Sequence, residues 1–262
     1  MKVASRTFTT LTVYAALAAC AGCTHAPGYP KPGDEVLRPD KELDFQVLYK
    51  QNCSGCHGDD GRNGGALPLN NPAYLAVAGA DNIRAATTRG VGATLMPGFA
   101  RSAGGMLTEQ QIDALVRGML HTWARPSEFA GVNLPPYSGS APGNAADGQK
   151  AYAVACARCH GADGTGVKNP AQRGASPHSI VDPSYLALVN NQCLRSIVIA
   201  GHPGEDAPDW RSYIASSGAR PLTAQEINDI VTWIAEHRAS AGDQASNNLP
   251  GRATGLAGKE AK

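Results

Sequence analysis

Charged and aromatic residues are scarce in this 262-residue sequence: 17% of it is Asp, Glu, Lys or Arg, and 6% is Phe, Trp or Tyr. The formal net charge is only +1, whereas nucleic-acid binding favours a concentrated basic patch. No interior run is apolar enough to span a bilayer. The 30 glycines and 18 prolines indicate long loops, so the chain is expected to gain stability from something besides regular secondary structure.

The N-terminal residues have the pattern of a signal peptide. Lys2 and Arg6 precede an uncharged, mildly apolar stretch over 8–19, which ends in the sequence LAAC. This ending is similar to a bacterial lipoprotein box and predicts cleavage before Cys20 and lipidation of that cysteine. An ordinary secretory signal, or lipidation of Cys23, is the alternative. Each of these predicts an exported chain, and lipidation would hold it on the periplasmic side of a bacterial membrane.

Two pentapeptides, CSGCH at 53–57 and CARCH at 156–160, fit the pattern of c-type haem attachment. In this pattern the two sulfurs form thioethers with the porphyrin vinyl groups, and the adjacent histidine reaches the iron. One helical turn brings the three side chains close together. The predicted attachment residues are Cys53, Cys56, Cys156 and Cys159, and the predicted proximal iron ligands are His57 and His160.

Two other interpretations of these cysteines stay open. Two CxxC pairs could supply four thiolates to a structural zinc ion, and export favours disulfides. Two CxxCH copies in an exported chain, each followed by glycine and a glycine-rich loop, favour haem over both.

An internal repeat relates the two halves of the chain. NPAYLA at 71–76 matches DPSYLA at 182–187 with an offset of 111, as from Pro72 to Pro183, and the same offset pairs Phe99 with Trp210. The CxxCH motifs are offset by 103 and the closing segments by 115, so the loops between them differ in length. The sequence is therefore read as a tandem duplication.

Helices are predicted before each motif and at the end of each half. The leading helices are expected over about 41–53 and 146–156. Apolar residues recur at helical spacing in the closing segments, and Thr108 and Thr223 each begin a capping box. The two apolar faces are Ile112, Leu115, Val116, Met119, Leu120 and Trp123 in the first half, and Ile227, Ile230, Val231 and Ile234 in the second.

With these motifs, each half resembles a class I cytochrome c domain, and the whole resembles an exported dihaem cytochrome c. The resemblance implies an all-α fold of two tandem domains, each a few short helices wrapped around a covalent haem, with long loops. It also implies two covalently attached haem c groups. The predicted divisions are a signal peptide over 1–19, a tether over 20–41, the first domain over 42–125, a linker over 126–145, the second domain over 146–238 and a disordered tail over 239–262.

In this family a methionine from a loop before the last helix is the distal iron ligand. Met96, in LMPGF, matches that place in the first half, whereas Met106 abuts the helix cap and Met119 lies on the helix core face. In the second half the same place holds Ala207, and no methionine follows Met119 anywhere in the chain. Methionine from this chain therefore cannot complete the second site.

Three options remain for the second iron. His202 lies in the loop that lost its methionine and is the favoured ligand. Its distance from Ala207, up to roughly 16 Å if extended, implies that this loop folds differently from its counterpart. Cys193 is a second candidate, but is more simply a buried thiol. The third option is an iron with no distal protein ligand; His178 is a weaker candidate than these.

The resemblance implies an electron carrier or electron-transfer subunit, not an enzyme. Its redox partners would be a membrane oxidoreductase, an oxidase or a reaction centre, with the lipid on Cys20 holding it at the respiratory or photosynthetic membrane. The rival interpretation is a haem enzyme or ligand sensor, peroxidase-like or acting in sulfur-compound oxidation, that uses an open second haem. A third is a structural cytochrome subunit of a larger dehydrogenase or oxidase complex.

Overall fold

The computed structural model describes residues 28, 36–167, 178–202, 207–212 and 220–238. The chain divides into two units, Met1–Glu42 and Leu43–Lys262. The predicted signal peptide, the candidate lipid sites Cys20 and Cys23, most of the tether and the predicted tail lie outside the described residues. None of the described helices combines the length and the apolar character that a membrane span requires.

The all-α prediction is confirmed, because the described residues form helices and loops without a named β-strand. The first domain contains α1 (Phe45–Asn52), α2 (Ser54–His57), α3 (Pro72–Arg89) and α4 (Glu109–Trp123), and the second contains α5 (Ala145–Ala155), α6 (Ala157–His160), α7 (Pro183–Leu188), α8 (Asn191–Ala200) and α9 (Ala224–Ala235). Helix α1 begins later than the predicted residue 41, because the Asp44 carboxylate caps it by accepting from the Val47 amide at 3.0 Å.

The duplicated sequence folds twice in the same way. Helix α3 is broken at Gly79, which has a φ of +63°, and its two parts correspond to the separate helices α7 and α8. Before the last helix of each domain the chain makes an equivalent hydrogen bond. The Leu107 amide donates to the Phe99 carbonyl at 2.8 Å, and the Leu222 amide donates to the Trp210 carbonyl at 2.9 Å.

The closing helices α4 and α9 bury their apolar faces, as their spacing predicts. Both predicted capping boxes are present: the hydroxyls of Thr108 and Thr223 accept from the third helical amide, and the Gln111 and Glu226 side chains accept from the cap amides. Helix α9 packs mainly on α5, the helix that leads into its CxxCH motif, and also on α8, whereas α4 packs most extensively on α3 and also on α1, the corresponding leading helix. The attachment motifs are thereby held next to each domain's core.

The segment between the domains packs against both of them. Its 3₁₀ helix, Pro126–Phe129, buries Phe129, whose ring stacks on Trp210 of the second domain at 6.2 Å. Further along, the buried Arg195 guanidinium donates to the Pro136 carbonyl at 2.8 Å and to the Tyr137 carbonyl at 3.0 Å. The part of this segment near residue 136 is therefore bound to the second domain.

Candidate functional site

The two attachment motifs have almost the same backbone. A break in the helix at Cys53 (φ −121°, ψ −36°) is matched at Cys156 (φ −121°, ψ −31°), and a single helical turn follows each. The Cys53 amide donates to the Tyr49 carbonyl of the preceding helix at 2.8 Å, and the Cys156 amide donates to the Tyr152 carbonyl at the same distance. Since residues three apart on a helical turn share a side, each motif directs its two sulfurs and its histidine from one short segment.

The first cysteine of each motif is a neutral thiol. Burial raises the pKa of the Cys53 thiol and of the Cys156 thiol to about 12. Within the described residues the cysteines are free, and no three or more His, Cys, Asp or Glu side chains cluster as a metal site. A thiol that adds to a vinyl group fits these surroundings.

A tyrosine hydroxyl secures the end of each motif. Tyr49 donates to the Gly58 carbonyl at 2.9 Å, and Tyr152 donates to the Gly161 carbonyl at 2.6 Å. Both glycines have a φ of +80°, and a Cβ there would collide with a backbone carbonyl of the following loop. Sequence reasoning did not single out these tyrosines, although the 103-residue offset of the motifs also pairs Tyr49 with Tyr152.

His57 is prepared to coordinate through one nitrogen. Its Nδ1 lies 2.7 Å from the Leu67 carbonyl oxygen, which can only accept, so Nδ1 carries the proton and Nε2 keeps its lone pair. Burial is the main influence on the His57 pKa and lowers it, although this hydrogen bond acts in the opposite direction. The imidazole is therefore held neutral, which is the form that binds iron.

His160 is its counterpart in the second domain. Burial lowers its pKa, so this imidazole is also held neutral. Its buried Nδ1 has no hydrogen-bond partner among the described residues. The 103-residue offset of the motifs places the counterpart of Leu67 at residue 170, which lies outside the described residues.

Met96 lies in a loop that folds back on itself. The Val91 amide donates to the Met96 carbonyl at 3.1 Å, and the Thr94 hydroxyl accepts from the Met96 amide at 3.2 Å. Met96 is half-buried. The other two methionines of the domain differ from it, because Met106 is 85% exposed and Met119 is 2% exposed within the core.

The second distal loop keeps the same closure without the methionine. The His202 amide donates to the Ala207 carbonyl at 3.0 Å, and the two residues form an antiparallel bridge. His202 corresponds to Val91 and Ala207 to Met96. The sequence had implied that this loop folds differently from its counterpart, but its described ends are closed by the equivalent hydrogen bond. Side chains directly opposite in an antiparallel bridge leave the same face, with Cβ atoms about 4.5–5.5 Å apart. The half-buried His202 therefore projects beside the position from which methionine was lost.

The remaining candidates are placed less favourably. Burial raises the pKa of the Cys193 thiol, which disfavours the thiolate that iron would need. The same thiol is one of the groups that raise the pKa values of Tyr74, Tyr137 and Tyr185, after burial. His178 is exposed.

Comparisons with known proteins agree with the duplicated fold. Residues 145–238 match the family model described as cytochrome c, and residues 40–117 match that of cytochrome c oxidase, cbb3-type, subunit III. The chain therefore contains two tandem cytochrome c domains, and these matches imply covalently bound haem c.

One curated protein and one solved structure were also matched. A cbb3-type cytochrome c oxidase subunit FixPc from Rhizobium leguminosarum bv. viciae is 28% identical over 199 residues, which cover 72% of this chain and 61% of the relative. The chain thus spans less than two thirds of that relative's length. A chain of the reducing HAO-like protein complex of Kuenenia stuttgartiensis is 17% identical with a TM-score of 0.44, and the match covers 78% of this chain and 100% of that chain. The domains and the Rhizobium relative support electron transfer by a c-type cytochrome.

Proposed function

We propose that this chain is an exported, lipid-anchored dihaem c-type cytochrome that passes single electrons between periplasmic or membrane partners. Cys53, Cys56, His57 and Met96 would hold the first haem. Cys156 and Cys159 would attach the second haem, and His160 and His202 would be its iron ligands. Cys20 would carry the lipid.

The observation that carries this proposal is the recurrence of one site in two places. Each motif has the same helix break, the same tyrosine anchor, the same positive-φ glycine, a neutral first thiol and a neutral histidine. Nothing in the helical packing alone requires all five features together. They fit the covalent attachment and axial coordination of two haems.

Haem c, when bound, supplies one-electron exchange between Fe(III) and Fe(II). The role of the chain is to set the axial donors, and these differ between the two domains. His57 and the Met96 thioether would bind the iron of the first haem, and a thioether donor would favour its reduced state, so the first site is expected at the higher potential. An imidazole pair from His160 and His202 is expected to lower the potential of the second site. This difference would give internal transfer a direction, from the second domain to the first.

We infer that the partner is a membrane oxidase of the cbb3 type. The inference rests on the family of the first domain and on the Rhizobium relative, both of which are described as cbb3-type oxidase subunits. A chain of this kind could act as a subunit of the oxidase or as a carrier that docks to it. Purification of the native protein from membranes, alone or within an oxidase complex, would distinguish these two roles.

A second candidate function follows from Ala207, whose side chain has no donor atom. If His202 does not bind the second iron, that iron is open to small ligands, and the protein is a haem enzyme or a sensor. Optical and EPR spectra with and without carbon monoxide separate the two candidates. The proposed carrier has two low-spin haems that do not bind carbon monoxide, whereas the enzyme or sensor has one high-spin haem that does.

The haem count tests the basis of both candidates. Denatured protein should retain two haems per chain in mass spectrometry, and a Cys53→Ala, Cys56→Ala double variant should retain one. The matched Cys156→Ala, Cys159→Ala variant should also retain one, on the other domain. Zinc without porphyrin in the purified protein would end the proposal.

A further inference from the structure

Side-chain amides cross between the domains and reach both distal loops. Asn190 of the second domain donates to the Gly92 carbonyl, in the Met96 loop, at 2.8 Å. In the opposite direction, Asn71 of the first domain donates to the Ala200 carbonyl at 2.9 Å and to the Gly201 carbonyl at 3.3 Å. These two carbonyls directly precede His202.

Asn71 is 1% exposed, and both ends of its side chain are occupied. Its carbonyl oxygen caps helix α3 by accepting from the Ala73 amide at 2.9 Å and from the Tyr74 amide at 3.2 Å. Its NH₂ group is then directed at the second domain. A buried side chain fixed at both ends has little rotational freedom, so it can hold the loop that it contacts in one place.

Helix capping alone does not explain why this residue is asparagine. Its counterpart in the repeat is Asp182, which caps α7 in the same way by accepting from the Ser184 amide at 2.9 Å and the Tyr185 amide at 3.0 Å. A carboxylate satisfies the cap but has no N–H to donate. The NH₂ group of Asn71 is therefore the part of the side chain that serves the neighbouring domain.

The amide acts on the peptide unit that precedes His202. The carbonyl of that peptide belongs to Gly201 and accepts from Asn71, and its N–H belongs to His202 and donates to the Ala207 carbonyl at 3.0 Å. Because a peptide unit is planar, holding its oxygen and its N–H fixes the direction in which the His202 Cα leaves it. Asn71 and Ala207 also line one cleft of about 390 Å³ between the domains.

We propose that Asn71 of the first domain is a positioning residue for the distal ligand of the second haem. The role rests on the proposed function, in which His202 is that ligand. The first domain thus helps to set the coordination of an iron that it does not bind. Loss of its NH₂ group would loosen the clamped peptide and favour the state in which His202 has left the iron.

Two variants separate this role from helix capping. Asn71→Asp introduces the residue type that caps α7 at position 182, so it keeps the cap of α3. Asn71→Ser also keeps a helix cap, without adding charge. Both remove the amide donor to Ala200 and Gly201. The control is Asp182→Asn, which makes the reverse change in the other domain.

The measurements are the optical and EPR spectra of the full-length protein with both haems, its thermal unfolding and its carbon monoxide binding. Asn71→Asp and Asn71→Ser should raise the high-spin fraction and carbon monoxide binding of the second haem. The ratio of detached to bound ligand should change roughly five- to tenfold, which corresponds to the net loss of one hydrogen bond. The spectrum of the Met96-ligated haem should stay constant as an internal reference, and Asp182→Asn should resemble wild type.

Two results would overturn the proposal, and they differ. In the first, the second haem is low-spin in the wild type and stays low-spin in both Asn71 variants, and only the unfolding temperature falls. Asn71 would then be a structural contact, and the assignment of His202 as ligand would stand. A wild-type second haem that is already high-spin would contradict His202 as the ligand and, with it, the role of Asn71.

Discussion

The ring of Phe45 in α1 occupies the space into which a side chain at Gly118 in α4 would project. The repeat places Gly148 and Trp233 at the corresponding positions of α5 and α9, so the large and small residues are exchanged between the helices. A Cβ added to Gly148 would meet the Asp229 backbone carbonyl. Each domain therefore brings its first and last helices close together through one glycine, on opposite helices.

We expect Gly118→Ala to destabilise the first domain. The methyl group would overlap the Cβ and Cγ atoms of Phe45, and overpacking costs about 1–3 kcal/mol, partly offset by about 1 kcal/mol of improved helix propensity. Gly148→Ala should cost more, because its obstacle is backbone. Denaturant unfolding of the haem-loaded protein measures both. Adding Phe45→Leu to Gly118→Ala should recover part of the loss, whereas a stabilised Gly118→Ala variant would contradict the steric overlap with Phe45.

Replacing Met96 with alanine tests the first site. The oxidised protein should lose the charge-transfer band of a thioether-ligated haem, and one of the two potentials should fall, since axial ligands control a range of about 0.8 V. Redox titration with optical detection follows both. Met106→Ala is the matched control, because that side chain is 85% exposed. Survival of the band in Met96→Ala would assign the ligand to another residue.

His202→Ala should convert the second haem to a high-spin form that binds carbon monoxide. The reason is that this imidazole leaves the loop beside Ala207, the residue that corresponds to the proposed ligand Met96 of the first domain. EPR spectra of the oxidised protein and carbon monoxide difference spectra of the reduced protein measure the change. His178→Ala removes an exposed histidine of the same domain and should leave both spectra as in wild type. Equal spectra for His202→Ala and wild type would exclude His202 as the ligand.

Glu226 should make the stability of the second domain depend on pH in the acidic range. Its hydrogen bond with Arg220, together with those from Thr223, lowers its pKa from 4.5 to about 2. A carboxyl whose folded pKa is depressed contributes stability above its unfolded pKa, and that contribution is lost as pH falls from about 4.5 towards 2.

Glu226→Gln isolates this effect, because Gln111 already fills the same position of the first capping box. The variant should be less stable at pH 7 by about 0.5–1 kcal/mol, as expected for an ion pair that is partly exposed to solvent, and the difference should shrink as the pH is lowered below 4.5. Unfolding midpoints at several pH values measure it. A difference that is constant from pH 7 to pH 3 would show that the Glu226 charge is not responsible.

Much of the fold could be predicted because its signals are local. The CxxCH motifs, the capping boxes and the apolar faces each occupy a few consecutive turns, and the repeat shows each of them twice. The contacts of Asn71 were not predictable in this way, because 129 residues separate it from Ala200. The pairing of His202 with Ala207 was missed for a related reason: counting residues along an extended segment ignores a loop that folds back.

Arg195 has a further consequence for how the chain can move. Its counterpart Arg84 forms an ion pair with Asp113, but Asn228 stands at the corresponding place in the second domain, and Arg195 binds the carbonyls of Pro136 and Tyr137 as well. The connecting segment is thereby fastened down and does not act as a hinge near that point. When a partner binds either domain, we expect the chain around residue 136 to stay with the second domain, so any change in the spacing of the two domains has to arise between residue 136 and the first domain.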